Sequence, residues 1–278
     1  MSGYILCQTK KAERPYYIEN ISMNIYSIEE LCYYLYHNLY LADHTIFNEE
    51  LCSWIRDELE LPHLAAKLKQ NLERNVSIED MVYPIFKEIN YLTYEEMKSF
   101  NICLADFGKE RQAVRQKRKG DALVENGMYV NAIQVYQKIL ERDDLNQQRK
   151  GFSAAVRYNL GCAYSYLFQM EKAQECFLQA YKESQSAEVL KAYVTAYASI
   201  HDKTDYDKVM EELGVDDKVK KDIKEEIQES MKTFASVPEK KIDVLILTHP
   251  STPVKRKLLT LFIILPYIII VQRMILSH

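Results

Sequence analysis

The chain has 278 residues, 47% of them hydrophobic and 27% charged, enough to bury one large or two small cores and too apolar for a disordered tail. Its formal charge of −4 argues against a general nucleic-acid binder, because displacing counterions needs an excess of Lys and Arg. Seven glycines and seven prolines in the whole chain favour long helices over sheets with many tight turns.

Six cysteines (Cys7, Cys32, Cys52, Cys103, Cys162 and Cys176) are scattered without paired spacing, which fits small buried apolar side chains in a reducing compartment. No apolar run with a small-residue cleavage site opens the chain, so signal-peptide secretion is not expected. At the N-terminus, Tyr4-Ile5-Leu6-Cys7 and Tyr16-Tyr17-Ile18 read as two short strands, a hairpin that needs helices to pack on. Helix signals follow. Ser27 with Glu30 forms a capping-box pair ahead of Ile28, Leu31, Cys32, Leu35 and Leu39 on one face. Asn48 caps a second helix bearing Leu51, Ile55 and Leu59, and Pro62 suits the first turn of a third with Leu64, Ala65, Leu68 and Leu72. Ser77 and Thr93 mark two further starts, the latter with Glu96 in the capping position. Pro84 is expected to kink the fourth helix, and the fifth runs from Thr93 onward without a firm stop. A tyrosine cluster (Tyr33, Tyr34, Tyr36, Tyr40) divides, at this spacing, between core packing and ordinary surface; a binding face is the competing reading.

From Val114 to Glu183 one pattern occurs twice. Twelve and sixteen residues after Gly120 stand Ala132 and Tyr136, and at the same offsets from Gly161 stand Ala173 and Phe177. The second copy adds Tyr164 three residues after its glycine and Ala180 nineteen after; the first has Leu123 and Ile139 at those places. This pattern resembles the tetratricopeptide repeat, in which small residues let consecutive helices approach closely and aromatics fill the gaps. The resemblance implies an all-α fold: a tetratricopeptide-like array of helical hairpins preceded by an N-terminal helical domain. The step between the two glycines is 41 residues (161 − 120) against a family period of about 34, with the surplus at Asp143 to Lys150. That implies a longer second helix or a looped connection. A degenerate third unit follows, Ala187 to Ile200 and then Thr204 to Leu213, ended by Gly214 and carrying Asp207 where a small residue belongs. Asp216 caps a last helix with Val219, Ile223, Ile227, Met231 and Phe234 on one face. The domains expected are thus 1–106, helical with a short hairpin at 1–20; 107–236, the repeats with a capping helix; 237–257, a linker; and 258–276, a hydrophobic tail.

Catalytic signatures are absent from the sequence. There is no phosphate-binding glycine loop, metalloprotease histidine pair or nucleophile elbow. His37 and His44 lie two helical turns apart, too far to grip one ion unaided. Paired carboxylates sit at helix starts or on exposed faces. We therefore expect no cofactor, no metal, no nucleic acid and no small-molecule substrate; an enzyme with an unrecognised site in the N-terminal domain stays as an alternative. The basic run Arg111, Arg115, Lys117, Arg118 and Lys119 lacks the interleaved aromatics that stack on bases and reads as a solvated helix face.

The resemblance implies a concave face lined by the first helix of each repeat. Here that face takes Lys117, Asp121 and Val124 from the first copy, and Tyr158, Asn159, Cys162, Ser165 and Tyr166 from the second. The third would give Val189, Ala192, Tyr193 and Ala196. One subclass of the family grips the C-terminal carboxylates of heat-shock chaperones with two Lys, two Asn and an Arg. Lys117 and Asn159 match that clamp, but Asp121 replaces an Asn, and Val189 and Tyr193 replace the Lys and Arg, so this mode should be lost. A neutral, aromatic groove suits an amphipathic helix or an extended apolar peptide, which makes the chain a protein-interaction adaptor. The competing reading has Tyr158 and Tyr166 touching the protein's own N-terminal or capping helix.

After Phe234 the composition shifts to a linker, a short apolar run at Ile242 to Leu247, the basic triplet Lys255-Arg256-Lys257 and an apolar run from Leu258 to Val271. Extended to Leu276 this gives nineteen residues, thirteen of them Leu, Ile, Phe or Val, close to the roughly 20 that span a bilayer. It predicts a tail-anchored protein held on the cytoplasmic face. A buried C-terminal helix, or an out-of-frame stretch after about Leu245, would give the same composition.

Overall fold

Helix starts in this chain are fixed by short-range hydrogen bonds. In the computed structural model, which describes residues 9–142, 149–201 and 205–235, Ser27 accepts from the Glu30 amide at 3.2 Å and opens helix α1 (Ile28–His37). Asn48 accepts from the Leu51 amide at 2.8 Å and opens α2 (Glu49–Asp57). Pro62 stands in the first turn of α3 (Pro62–Glu73), where its missing N–H costs nothing. Ser77 opens α4 (Ile78–Glu88), and a reciprocal Thr93–Glu96 capping box opens α5 (Tyr94–Lys109). The remaining helices are α6 (Gln112–Glu125), α7 (Tyr129–Leu140), α8 (Phe152–Tyr166), α9 (Met170–Ser184), α10 (Ala187–Ile200), α11 (Asp205–Glu212) and α12 (Asp217–Ala235). The chain divides into two compact units, residues 1–131 and 132–278.

In the first unit, strand β1 (Tyr16–Ile18) forms as the sequence predicts, but its partner is not Tyr4–Cys7, which lies outside the described residues. It pairs antiparallel with β2 (Met23–Ile25), Tyr16 opposite Ile25. Ser22 turns the chain in the left-handed region (φ 51°), and Asn20 pins the turn by donating to the Leu41 carbonyl at 3.1 Å and the Thr45 hydroxyl at 2.7 Å. Alternation does the rest: Tyr16, Ile18 and Ile25 are buried while Tyr17 and Met23 face out. The ribbon docks on α2 through the Trp54 indole N–H, which donates to the Arg14 carbonyl at 2.8 Å.

Pro84 stays inside α4 without ending it. Because proline has no N–H, the carbonyl of Asp80 one turn earlier loses its helical donor. The buried Asn71 supplies the replacement, donating from Nδ2 to that carbonyl at 2.8 Å. The expectation that the fifth helix runs on is corrected: α5 stops at Lys109, and Glu110 is extended (φ −65°, ψ 140°) before α6 restarts. A long-range contact holds the break, since the Tyr40 hydroxyl donates to the Glu110 carboxylate at 3.2 Å. The tyrosines of α1 and its following turn divide as expected. Tyr34 is fully buried, Tyr33 is exposed, Tyr36 stacks on Phe100 and Tyr40 packs at a tilt against Phe107.

Cations of the 111–119 run meet groups of their own unit. Arg115 lies over the Phe107 ring, Arg118 over the Tyr40 ring, Lys117 pairs with Asp121 at 2.8 Å and Lys119 with Asp43 at 2.5 Å. Burial alone would push the Asp43 carboxyl up, but Lys119 and Thr45 more than offset it and hold it below its ordinary range.

In the second unit α8, α9 and α10 pack in succession. The helix after Gly120 is not lengthened: α7 ends at Leu140, so the surplus over the family period lies in the connection, of which 143–148 are outside the described residues. Asp207 on α11, standing where a small residue belongs, is ion-paired to Lys224 of α12 at 2.9 Å. Gly214 ends that segment in the left-handed region (φ 64°), and the Asp216 side chain accepts from the Lys218 amide at 2.8 Å at the start of α12. The tail from 236 onward is outside the described residues; among those described, no helix is long and apolar enough to cross a membrane.

Candidate protein-binding face of the repeat

Helices α8 and α9 approach closely at Gly161. A Cβ added at Gly161 would sit 2.6 Å from Cε1 of Phe177, so only glycine lets that ring close over the helix. Ala173 and Ala180 of α9 are completely buried, as positions facing a neighbouring helix require, and Phe177 packs on the Tyr158 ring at 5.4 Å. Outside this core, Arg157 of α8 braces the hairpin, reaching Glu183 at 2.9 Å and Gln179 at 2.6 Å on α9. The Tyr164 hydroxyl accepts from Gln137 of α7 at 3.0 Å.

The residues expected on the concave face fall in both units. In the first, the Lys117 ammonium and Asp121 carboxylate are consumed by each other, their side chains only 12% and 3% exposed, and Val124 is buried. In the second, Tyr158, Asn159, Cys162, Ser165 and Tyr193 are buried, while Tyr166 is half-exposed. Ser165 donates its hydroxyl to the Gly161 carbonyl at 2.9 Å, a bond within its own helix. Asp121, Tyr158, Asn159 and Tyr166 all have interaction partners. On α10, burial raises the Tyr193 hydroxyl above its ordinary pKa, so it stays protonated and neutral; burial likewise pushes the Cys176 thiol of α9 up to about 11.

Two residues on this side escape sequence reasoning. Tyr193, Tyr197 and His201 form a ladder at four-residue spacing, with ring centroids 6.1 and 4.1 Å apart along it. Tyr197 is half-exposed and His201 exposed, which leaves an aromatic stripe reaching solvent at the end of α10. Their spacing from Tyr193 was the available signal. Among the described residues, no group of three or more His, Cys, Asp and Glu side chains is placed to hold a metal ion.

The tetratricopeptide-repeat family model matches residues 154–186, which are α8, α9 and the turn beyond. Nothing among curated proteins or solved structures matches the chain significantly. The family's repeats mediate protein–protein contacts, and the matched pair of helices is the one that Gly161 and Phe177 lock together. Residues 154–186 of the chain thus form a tetratricopeptide repeat.

Proposed function

We propose that the protein is an adaptor that captures a segment of another protein, an amphipathic helix or an extended apolar peptide, on the face formed by α8 and α10 of its second unit. The observation that carries this reading is the aromatic stripe of Tyr193, Tyr197 and His201 at the end of α10. In the first unit, taken by itself, the Lys117 ammonium that a carboxylate clamp would use is already matched to Asp121 at 2.8 Å and nearly buried. Tyr166 and the Tyr193–Tyr197–His201 ladder offer aromatic area with polar tips and low entropy of immobilisation, the chemistry that anchors such segments. Asn159 and Tyr158 line the same helix from beneath.

Tyr166 is the cleanest probe, because it is accessible, whereas Asn159→Ala would disturb a buried site. A photo-crosslinking amino acid placed at 166 in the full chain should yield a discrete adduct with a second protein. Tyr166→Ala should reduce recovery of that partner about tenfold, as loss of a single aromatic anchor does, with the helical circular dichroism unchanged. Crosslinks only within the chain itself would overturn the reading and favour an internal contact for Tyr166.

We propose in addition that the segment 258–276 tethers this adaptor to the cytoplasmic face of a membrane. The support is its thirteen large apolar residues and the basic triplet Lys255–Lys257 before them. Full-length protein should pellet with membranes and resist carbonate extraction, and a chain ending at Pro238 should remain soluble. Full-length protein in the soluble fraction would remove the anchor and leave the adaptor intact.

A further inference from the structure

A cleft of about 770 Å³ in the first unit lies among α3, α4 and α5, within the volume range of ligand sites. Its rim carries Lys67 from α3, Arg74 at the C-terminal cap of α3, and Lys87 from α4. Elsewhere in this unit several cations are matched: Lys10 to Glu60, Arg14 to Glu58, Arg56 to Asp57, Lys117 to Asp121 and Lys119 to Asp43. Among the described residues, the three at the cleft make no ion pair. The single carboxylate on its wall, Asp80, accepts a hydrogen bond from Ser77 at 2.9 Å as part of the α4 cap. In a chain of net charge −4 this is a local excess of positive charge around a concavity.

The floor is suited to polypeptide. Pro84 and Met97 supply apolar surface, and Asn101 takes the Tyr83 hydroxyl on its oxygen, which leaves its amide hydrogens to donate to a carbonyl. The wall is rigid where it matters, because Asn71 ties α3 to α4 through the carbonyl that Pro84 frees. Lys67 and Arg74 are seven residues apart along α3 and its cap, a rise of about 10 Å. Acidic side chains three residues apart on an extended polyproline-like segment are separated by about 9 Å on one face.

We propose that this cleft binds an acidic, extended peptide segment, with Lys67 and Lys87 holding one carboxylate and Arg74 a second one three residues away. The site is in the other unit from the repeat match, so it stands or falls independently of the adaptor reading. Binding would be steered by charge and weakened by salt.

The test is fluorescence anisotropy of the full chain with fluorescein-labelled Gly-Pro-Glu-Ala-Pro-Glu-Ala-Pro-Gly-Gly at low ionic strength. Saturable binding is expected, roughly tenfold tighter than that of the peptide with both Glu replaced by Gln. Arg74→Glu and Lys67→Glu should each weaken it roughly tenfold, while Lys98→Glu, an exposed cation outside the cleft, should leave it unchanged. All these positions are exposed, so helical circular dichroism should be preserved. Equal affinity for the Gln peptide, an equal loss in Lys98→Glu, or no saturation below about 1 mM would overturn the proposal.

Discussion

Gly161→Ala is expected to destabilise the second unit, although alanine is the better helix former. Propensity alone would favour the substitution by about 0.8–1 kcal/mol in a helix interior. The new Cβ, however, would lie 2.6, 2.8 and 3.0 Å from three ring carbons of Phe177. That ring is fully buried and packed on Tyr158, so it cannot swing into solvent to make room. Overpacking of this kind costs about 1–3 kcal/mol, which outweighs the propensity gain where the ring cannot yield. For a segment of this size, thermal unfolding followed by circular dichroism should show a midpoint several degrees lower, roughly 4–8 °C per kcal/mol. Combining Gly161→Ala with Phe177→Leu should recover part of the loss by removing the ring edge that the methyl meets. A rise in midpoint for the single variant would mean that the two helices are not in the close register described. Ala173→Leu, also at a fully buried site, should fail for the same reason.

The first unit has a different weak point. Phe86 of α4 is fully buried, edge-on to Phe100 at 5.1 Å and stacked with Tyr91 at 6.0 Å. It joins α4 and α5 to a core that includes Leu31, Leu35 and Ile85. Phe86→Ala removes the ring and leaves a cavity that the surrounding helices cannot fill, a loss of about 3–5 kcal/mol. That is a large part of the stability of a typical domain. We expect part of the helical signal to melt at a distinctly lower temperature, and Phe86→Leu to lose less than half as much. Identical melting curves for Phe86→Ala and the parent would show that this aromatic cluster is not the centre of the unit's core.

Helix starts were legible because capping is a local transaction. Ser27, Asn48, Ser77 and Thr93 each bond an amide three residues away, so the signal fits in a short window of sequence. What escaped depends on partners far along the chain. Met23–Ile25 carries no strand alternation of its own note; it pairs with Tyr16–Ile18 because Ser22 turns left-handed and Asn20 is held by Leu41 and Thr45. The end of α5 is fixed at Glu110 by Tyr40, seventy residues away. The rescue of the Asp80 carbonyl by Asn71 belongs to the same class. For the candidate face, spacing identified which positions share a helix side. It could not give their accessibility: Asn159 and Cys162 are 2% and 0% exposed, whereas Tyr166 on the same helix is half-exposed. Nor could it show that Ser165 bonds its own helix or that Lys117 and Asp121 neutralise each other.

The ribbon-to-helix bond at Trp54 makes the protein its own optical probe. Trp54 is the only tryptophan in the chain, 7% exposed, with its indole N–H on the Arg14 carbonyl and its ring 5.7 Å from that of Tyr16. Light absorbed selectively by indole therefore excites a single chromophore, located where the β ribbon meets α2. Its emission colour follows hydration at that junction, and its intensity follows the nearby tyrosine and peptide groups. The second unit contains no indole, so under the same excitation it is dark, and the first unit can be followed on its own without a label.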